Sequence, residues 1–499
     1  MRRWTALVLA VAMMVCASAF AEDLQKAPDF VMEGYDGDVT YRDWDTNLFF
    51  SRMQEMTGIS FQFTQQTDST RWTERKNELK AGTNLPDVLF KAELSTSEIR
   101  DLYQAGTIID LSPYLEEYAP DLWKLLEEHP DWKQAITLDD GAIPALPCIN
   151  TLQNNDVVWI NSSWLKKLGL ETPRTAEAFT EVLRAFKTRD PNGNYQKDEI
   201  PLSFIGMWEL RFLGHAFGII DNDYYLTVTG GKVVSSLTSP ENRAFLAWLH
   251  ELWEEELIDH NGFTSTDDLR KISDEKTTIP YGSFLSSSPL TFLPQTALDS
   301  FTVLEPLEYN GKQVYRDLFG DIVPGTFAVT SACKDPARLV AWVNYLYTSE
   351  GNRLALYGKE GEDYLWNEDG FWEWSADLET VANDTLPRST ISEGGAVPGW
   401  TDPAFQLKYT DEHTRSIVEQ LQKIKQYSVL PYPTVTLSRE DEARIAEIQR
   451  ELSDYAEKTM ARFVAGDIKL TDENWDLFCR TADEKGLQEM IAIWQKYIR

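Results

Sequence analysis

The chain reads as an α/β protein of more than one domain. Three observations predict this. Between residues 30 and 90, strand-patterned stretches alternate with helical ones across short links, the signature of a parallel sheet covered by helices. At 499 residues the chain exceeds what one hydrophobic core usually supports. An apolar strand over 157–160 then opens a further series of strands and helices, marking a crossover into a second unit.

The elements follow in order. Residues 30–33 predict the first strand, and a polar, aromatic loop with Asp43, Trp44 and Asn47 comes after it. A helix over 48–56 stops at Gly58, 59–63 alternates as a strand, 71–81 is helical up to Gly82, and 85–90 is a buried strand. In open parallel sheets ligands sit beyond the carboxyl ends of the strands, which marks the 43–47 loop and the 91–95 loop, with Lys91 at its head. A helix over 97–104 closes at Gly106. Thr175 caps a helix with Phe179, Val182, Leu183 and Phe186 on one face. Residues 202–206 predict a strand feeding a loop with Trp208, Arg211 and Phe212. A helix spans 242–255, and 278–283 predicts a strand that carries Tyr281 and ends at Ser283 before the polar loop 286–288. Residues 322–330 are extended, and Asp335-Pro336 opens a helix ending near Gly351. Residues 392–403 form a Gly- and Pro-rich loop holding Trp400. Ser438 opens a long amphipathic helix with Ile445, Ile448, Leu452, Tyr455 and Phe463 on one face, closed by Gly466. A short Trp475 segment and a last helix complete the chain, without internal repeats.

Composition narrows the function. The net charge of −33 argues against nucleic acid and anionic membranes as partners. Residues 1–21 have the anatomy of an export leader: Arg2 and Arg3, a short apolar run from Ala6, and the small-residue cleavage pattern Ala19-Phe20-Ala21. Its removal takes the charge to −35. Cys16 offers a lipid anchor as the alternative, but Met14 and Val15 before it do not suit one, so a soluble periplasmic or extracellular protein is expected. Cys148, Cys333 and Cys479 allow at most one disulfide. The five His residues show no metal-ligand spacing, and no serine elbow, H-E-x-x-H or phosphate loop occurs.

One loop stands out. From Asp190, oxygen-bearing side chains recur at alternate positions, Asp190, Asn192 and Asn194, followed by Gln196, Asp198 and Glu199. Alternate side chains on a tight loop converge on one point, and calcium takes six to eight oxygens. This is the first half of an EF-hand-like loop with two departures. Tyr195 stands where Gly makes the sharp turn, and Pro201 stands where the bidentate Glu belongs. The expected set is Asp190, Asn192, Asn194, Asp198, Glu199 and the main-chain carbonyl of Gln196. The plain alternative is a polar turn.

The flanks of this loop, Trp159 to Leu170 with Pro173 and Thr175 before it and Ile200-Pro201-Leu202 after it, resemble the extracellular solute-binding proteins of ABC-type sugar importers. The branch is the one with alginate-oligosaccharide-binding proteins and polysaccharide-utilisation lipoproteins. Leu85-Pro86-Asp87, Asp140-Gly141 with Ala145-Leu146-Pro147, Gly358 to Tyr364 and Phe463 to Gly466 fit the same likeness. The resemblance implies a two-lobed periplasmic-binding-protein fold with a cleft between lobes and crossing hinge strands. Lobe one would hold 22–157 and 300–385, and lobe two 158–299 and 386–499. It also implies a structural calcium in the 190–201 loop away from the sugar, a monomer, and delivery of ligand to permease subunits without chemistry.

A carbohydrate, in particular an oligosaccharide, is therefore the expected ligand. Sugar rings pack their C–H faces on aromatic rings while their hydroxyls seek polar side chains. Trp44, Trp208, Tyr281 and Trp400 are the candidate platforms, with Asp43, Asn47, Lys91 and Arg211 as polar partners and the two cations as partners for an acidic sugar. The alternative is a secreted glycoside hydrolase, needing only two placed carboxylates, or a carbohydrate-binding protein outside transport.

Overall fold

The computed structural model describes residues 28–38, 43–152, 155–272, 274, 277–318, 320–375, 386–433, 435 and 437–498. The expected leader, with Cys16, lies outside the described residues. In chain order the strands are β1 (Phe30–Tyr35), β2 (Phe61–Gln66), β3 (Val88–Phe90), β4 (Leu146–Ile149), β5 (Val157–Asn161), β6 (Leu226–Thr229), β7 (Lys232–Ser235), β8 (Ser283–Ser286), β9 (Phe301–Val303), β10 (Tyr315–Arg316), β11 (Ile322–Val329), β12 (Tyr364–Trp366), β13 (Trp372–Trp374), β14 (Gly399–Trp400) and β15 (Ser428–Val429).

The first sheet has the order β14-β4-β11-β3-β1-β2. β1 runs parallel to β2 and β3, β14 runs parallel to β4, and β11 is antiparallel to both β3 and β4. All strands of this sheet except β11 therefore point the same way. Successive residues of β3 serve opposite faces, as a strand requires: Val88 and Phe90 join the core of Phe49, Phe50 and Trp342, while Leu89 joins that of Trp72, Leu79 and Leu102. The covering helices start where the sequence supplies caps. Asn47 accepts from the Phe49 N–H ahead of Leu48–Thr57, which ends on left-handed Gly58 (φ 66°). Ser95 and Glu98 form a reciprocal capping box at Thr96–Gln104.

The chain leaves β4 at Ile149 and enters β5 at Val157, the centre of a second sheet of order β8-β5-β9. Ser203 adds to it by bridging Phe284 in parallel. The second core gathers around the helices Ala176–Thr188, Pro240–Glu254 and Arg439–Val464, the last burying Ile445, Ile448, Leu452 and Phe463.

Two expected lobe boundaries move. β9, at 301–303, pairs with β5 and belongs to the second sheet, whereas β14, at 399–400, pairs with β4 in the first. The cores divide the chain accordingly: Leu304 and Leu307 still pack in the second, and Ile391 and Val397 still pack in the first. Other expectations shift locally. The strand near 283 begins there and runs to Ser286, Gly351 lies inside the helix Ser349–Tyr357, and Trp475 lies inside the helix Asp472–Glu484. Residues 202–206 make isolated bridges, not a strand. Cys148, Cys333 and Cys479 are all free thiols.

Candidate functional site

The strand directions locate the cleft. β1, β3, β4 and β14 end on one edge of the first sheet, and β4 hands the chain to the second lobe from that edge. The carboxyl ends of these strands therefore face lobe two. The β3 end is tightly built: Lys91 and Glu93 both take the left-handed conformation (φ 50° and 47°), uncommon outside glycine. Lys91 is fully buried, and its Nζ donates to Asp36 Oδ1 at 2.5 Å and to the carbonyls of Ile391 (3.1 Å) and Glu393 (2.5 Å). One ammonium thus ties β1, β3 and the 391–395 loop together. Gly394 (φ 72°) lets that loop lie on β1, since a Cβ there would come within 1.9 Å of the Asp36 carbonyl. Asp43 is exposed beside this edge, its carboxylate accepting from the Asp45 N–H at 3.0 Å. Trp400, half-buried, ends β14 opposite Ile149.

The facing wall of lobe two starts where β5 enters and β8 ends, with Val157 opposite Ser286. Ser203 runs parallel to β8, so the helix Gly206–Leu210 emerges at the same edge. Trp208 is 47% exposed there. Next to it Glu209 is buried, takes the Ile205 N–H, and faces Arg270 Nη2 at 3.3 Å. Arg270 also pairs with Asp267 at 2.8 Å and donates to the Leu285 carbonyl. Burial pushes the Glu209 carboxyl up to about 8, with Arg270 opposing the shift and Asp156 adding to it. Burial likewise pushes Asp156, at the crossover itself, up to about 6. Asp156, Asp267 and Arg270 were not anticipated from sequence. The position of Asp156 directly before the crossover strand was the available signal.

Several anticipated sugar contacts are instead interior. Trp44 is 1% exposed, its ring packed against Phe50, Phe63 and Phe90 with centroids 5.6–6.0 Å away. Asn47 caps its helix and donates to the Thr390 carbonyl at 2.9 Å. Lys91 is consumed by the tie just described. Arg211 is buried, stacked 3.9 Å from the Tyr225 ring and facing Asp221 at 3.3 Å. Tyr281 is buried against Phe284 and Phe292, its hydroxyl donating to the Arg270 carbonyl. In each case the side chain is packed inside one lobe and presents no face to a ligand, although the buried Trp44 Nε1 has no hydrogen-bond partner. Trp208, Asp43 and Trp400 remain at the facing edges.

The 190–201 loop lies elsewhere in lobe two, where the helix Ala176–Thr188 returns to the sheet through Ile200, bridged to Tyr281. Asp190 accepts the N–H groups of Gly193 (2.9 Å) and Tyr195 (3.2 Å), and the amides of Asn192 and Asn194 both donate to Asp198 (2.9 and 2.8 Å). The Gln196 N–H donates to Asn194 Oδ1 at 2.7 Å. Tyr195 adopts the glycine-like conformation of the turn (φ 61°) with 95% of its surface exposed. One Glu199 oxygen is buried without a hydrogen-bond partner, and burial together with the charges of Asp198 and Asp190 raises its pKa. An orphan carboxylate oxygen in an all-oxygen loop fits a hard cation. Among the described residues no three His, Cys, Asp or Glu side chains cluster as a metal centre, so Asn192, Asn194 and the Gln196 carbonyl would have to complete the shell.

No family model matches the chain. It is 28% identical, over 99% of its length and 97% of the relative's, to the fructooligosaccharide ABC transporter substrate-binding protein FusA of Streptococcus pneumoniae serotype 4. The structure of FusA in complex with kestose superposes with a TM-score of 0.69 at 26% identity, covering 94% of this chain and 98% of that one. FusA has also been solved as an EF-hand mutant in complex with fructo-nystose. An HMO-binding, ABC-transporter-associated solute-binding protein from Bifidobacterium longum infantis shares the fold at TM-score 0.78 and 22% identity, covering 95% and 98%. The alginate-binding protein AlgQ2, solved without calcium ion, shares it at 0.66 and 18%, again covering 95% and 98%. The two sheets, the cleft edge between them and these full-length likenesses agree: the chain is a homologue of the substrate-binding proteins of ABC transporters and has their two-lobed fold.

Proposed function

We propose that this protein captures an oligosaccharide in the cleft between its lobes and delivers it to the permease of an ABC importer, without chemistry of its own. The observation that carries this reading is the full-length likeness to FusA, joined to a cleft edge that offers a half-exposed tryptophan among carboxylates. Trp208 supplies a flat apolar face for a sugar ring, and the exposed Asp43 and Asp267 supply acceptors for hydroxyls. Trp400 answers from lobe one. Ligand touching both walls favours the closed arrangement, because it gains contacts only there. The protein acts as an exported monomer in the periplasm or at the cell surface. Among the described residues no helix is long and apolar enough to cross a membrane. A thermal-shift screen over oligosaccharides tests the proposal, since a ligand that binds only the folded state must raise its stability. A stabilising sugar recovered intact after long incubation supports it. Conversion of that sugar to shorter products favours the hydrolase alternative.

The 190–201 loop is proposed to hold one structural calcium through Asp190, Asn192, Asn194, Asp198, Glu199 and the Gln196 carbonyl. The ion draws the carboxylates of Asp190, Asp198 and Glu199 towards one centre with the Asn192, Asn194 and Gln196 oxygens, and pins the end of the helix Ala176–Thr188 to the sheet. The buried, unpartnered Glu199 oxygen supports this reading.

A further inference from the structure

We infer that the cleft is selective for uncharged oligosaccharides and disfavours those bearing carboxylates. This rests on the oligosaccharide reading above and adds the class of sugar. Among the described residues, the cations named at the two facing edges are each engaged by protein carboxylates. Lys91 is held by Asp36 at 2.5 Å, Lys76 by Glu98 at 2.7 Å, and Arg270 by Asp267 at 2.8 Å, with the Glu209 carboxyl also facing it at 3.3 Å. Lys91 and Arg270 are buried as well, so neither can swing out to meet a ligand anion. Carboxylates remain at the same edges: Asp43 and Glu93 exposed on lobe one, and on lobe two Asp267 exposed and Asp156 half-buried.

Such a lining suits hydroxyls and not acids. An ionised carboxylate only accepts hydrogen bonds, and a sugar hydroxyl can donate one. A uronate brought against the same groups adds a like charge in a space that closes around it, where screening by water is weakest. The walls already strain to hold their own charges. Asp267 adds to the rise of both the Asp156 and the Glu209 pKa, on top of burial. A further anion would push both carboxyls the same way.

Calorimetric titration of the mature protein tests this with paired probes: maltotriose, cellotriose, xylotriose and 1-kestose as neutral trisaccharides, and trigalacturonate and trimannuronate as acidic ones. The expected result is binding of at least one neutral probe, with both acidic probes weaker by about 100-fold or more. Affinity for the neutral probe should change less than about twofold when the salt is raised to roughly 0.5 M. An acidic probe that binds as tightly as the best neutral one overturns the inference while leaving the sugar-binding function standing. Failure of every probe, neutral and acidic, removes the oligosaccharide reading itself and the inference with it.

Discussion

Trp208 and Trp44 show what residue-scale reasoning can and cannot reach. By sequence pattern the two are equivalent, each reading as a loop residue after a strand, beside polar neighbours. Trp208 follows a glycine, Gly206, whose left-handed turn starts a short helix at the sheet edge and leaves the ring outside. Trp44 meets Phe50, Phe63 and Phe90, which reach it from three different segments, and no local signal announces that meeting. The two substitutions should therefore separate. Trp208→Ala is expected to lower affinity for the best sugar by roughly tenfold to a hundredfold with an unchanged melting temperature. Trp44→Ala is expected to cost on the order of 3–5 kcal/mol of stability, read by denaturant unfolding. Equal effects of both on stability would place Trp208 in the core. Lys91 and Arg211 were misread for the same reason: their acidic partners Asp36 and Asp221 are brought to them by the fold.

Glu209 makes a separate pH prediction. Its folded-state pKa is about 8 against an ordinary 4.5, so the folded protein keeps a proton that the unfolded chain has lost across that window. Stability from this group is present below about 4.5 and is lost as pH rises towards 8. Glu209→Gln should remove the loss, so the variant's melting temperature should gain on the parent's between pH 5 and pH 8. Parallel curves for the two proteins would contradict the assignment.

At the scale of the element, the 190–201 loop was legible because alternating oxygens are a local pattern, independent of distant contacts. The predicted obstacle, Tyr195 at a glycine position, is present as left-handed backbone and not avoided. The exposed ring makes no use of that conformation, so Tyr195→Gly should relieve strain of about 1 kcal/mol and raise the melting temperature in the presence of calcium. Chelator should lower the parent's melting temperature, and Asp190→Ala should remove that sensitivity. Purified protein free of metal, with a melting temperature indifferent to chelator, would count against the calcium. The helices were read well for the same local reason, through Thr175, Ser438 and the glycines that close them, although Asn47, expected as a sugar partner, turned out to be a cap. The edge strands β9 and β14 were not. Strands of three and two residues carry almost no pattern of their own, and their membership is decided by β5 and β4, far away in sequence.

At the scale of the whole molecule, the class of fold was legible from the strand-helix alternation and the crossover at Val157, but the division between lobes was displaced at both later crossings. The displacement matters for function because it moves the joints. The chain passes between the sheets after Ile149, between Leu307 and Ile322, and between Val397 and Ile417, so the hinge lies in those connections. Closure about them is the central claim, and small-angle X-ray scattering of the purified protein with and without a saturating sugar measures it directly. The account predicts a smaller radius of gyration with ligand bound. An unchanged radius under a ligand shown by calorimetry to saturate the protein would contradict a two-lobed clamp.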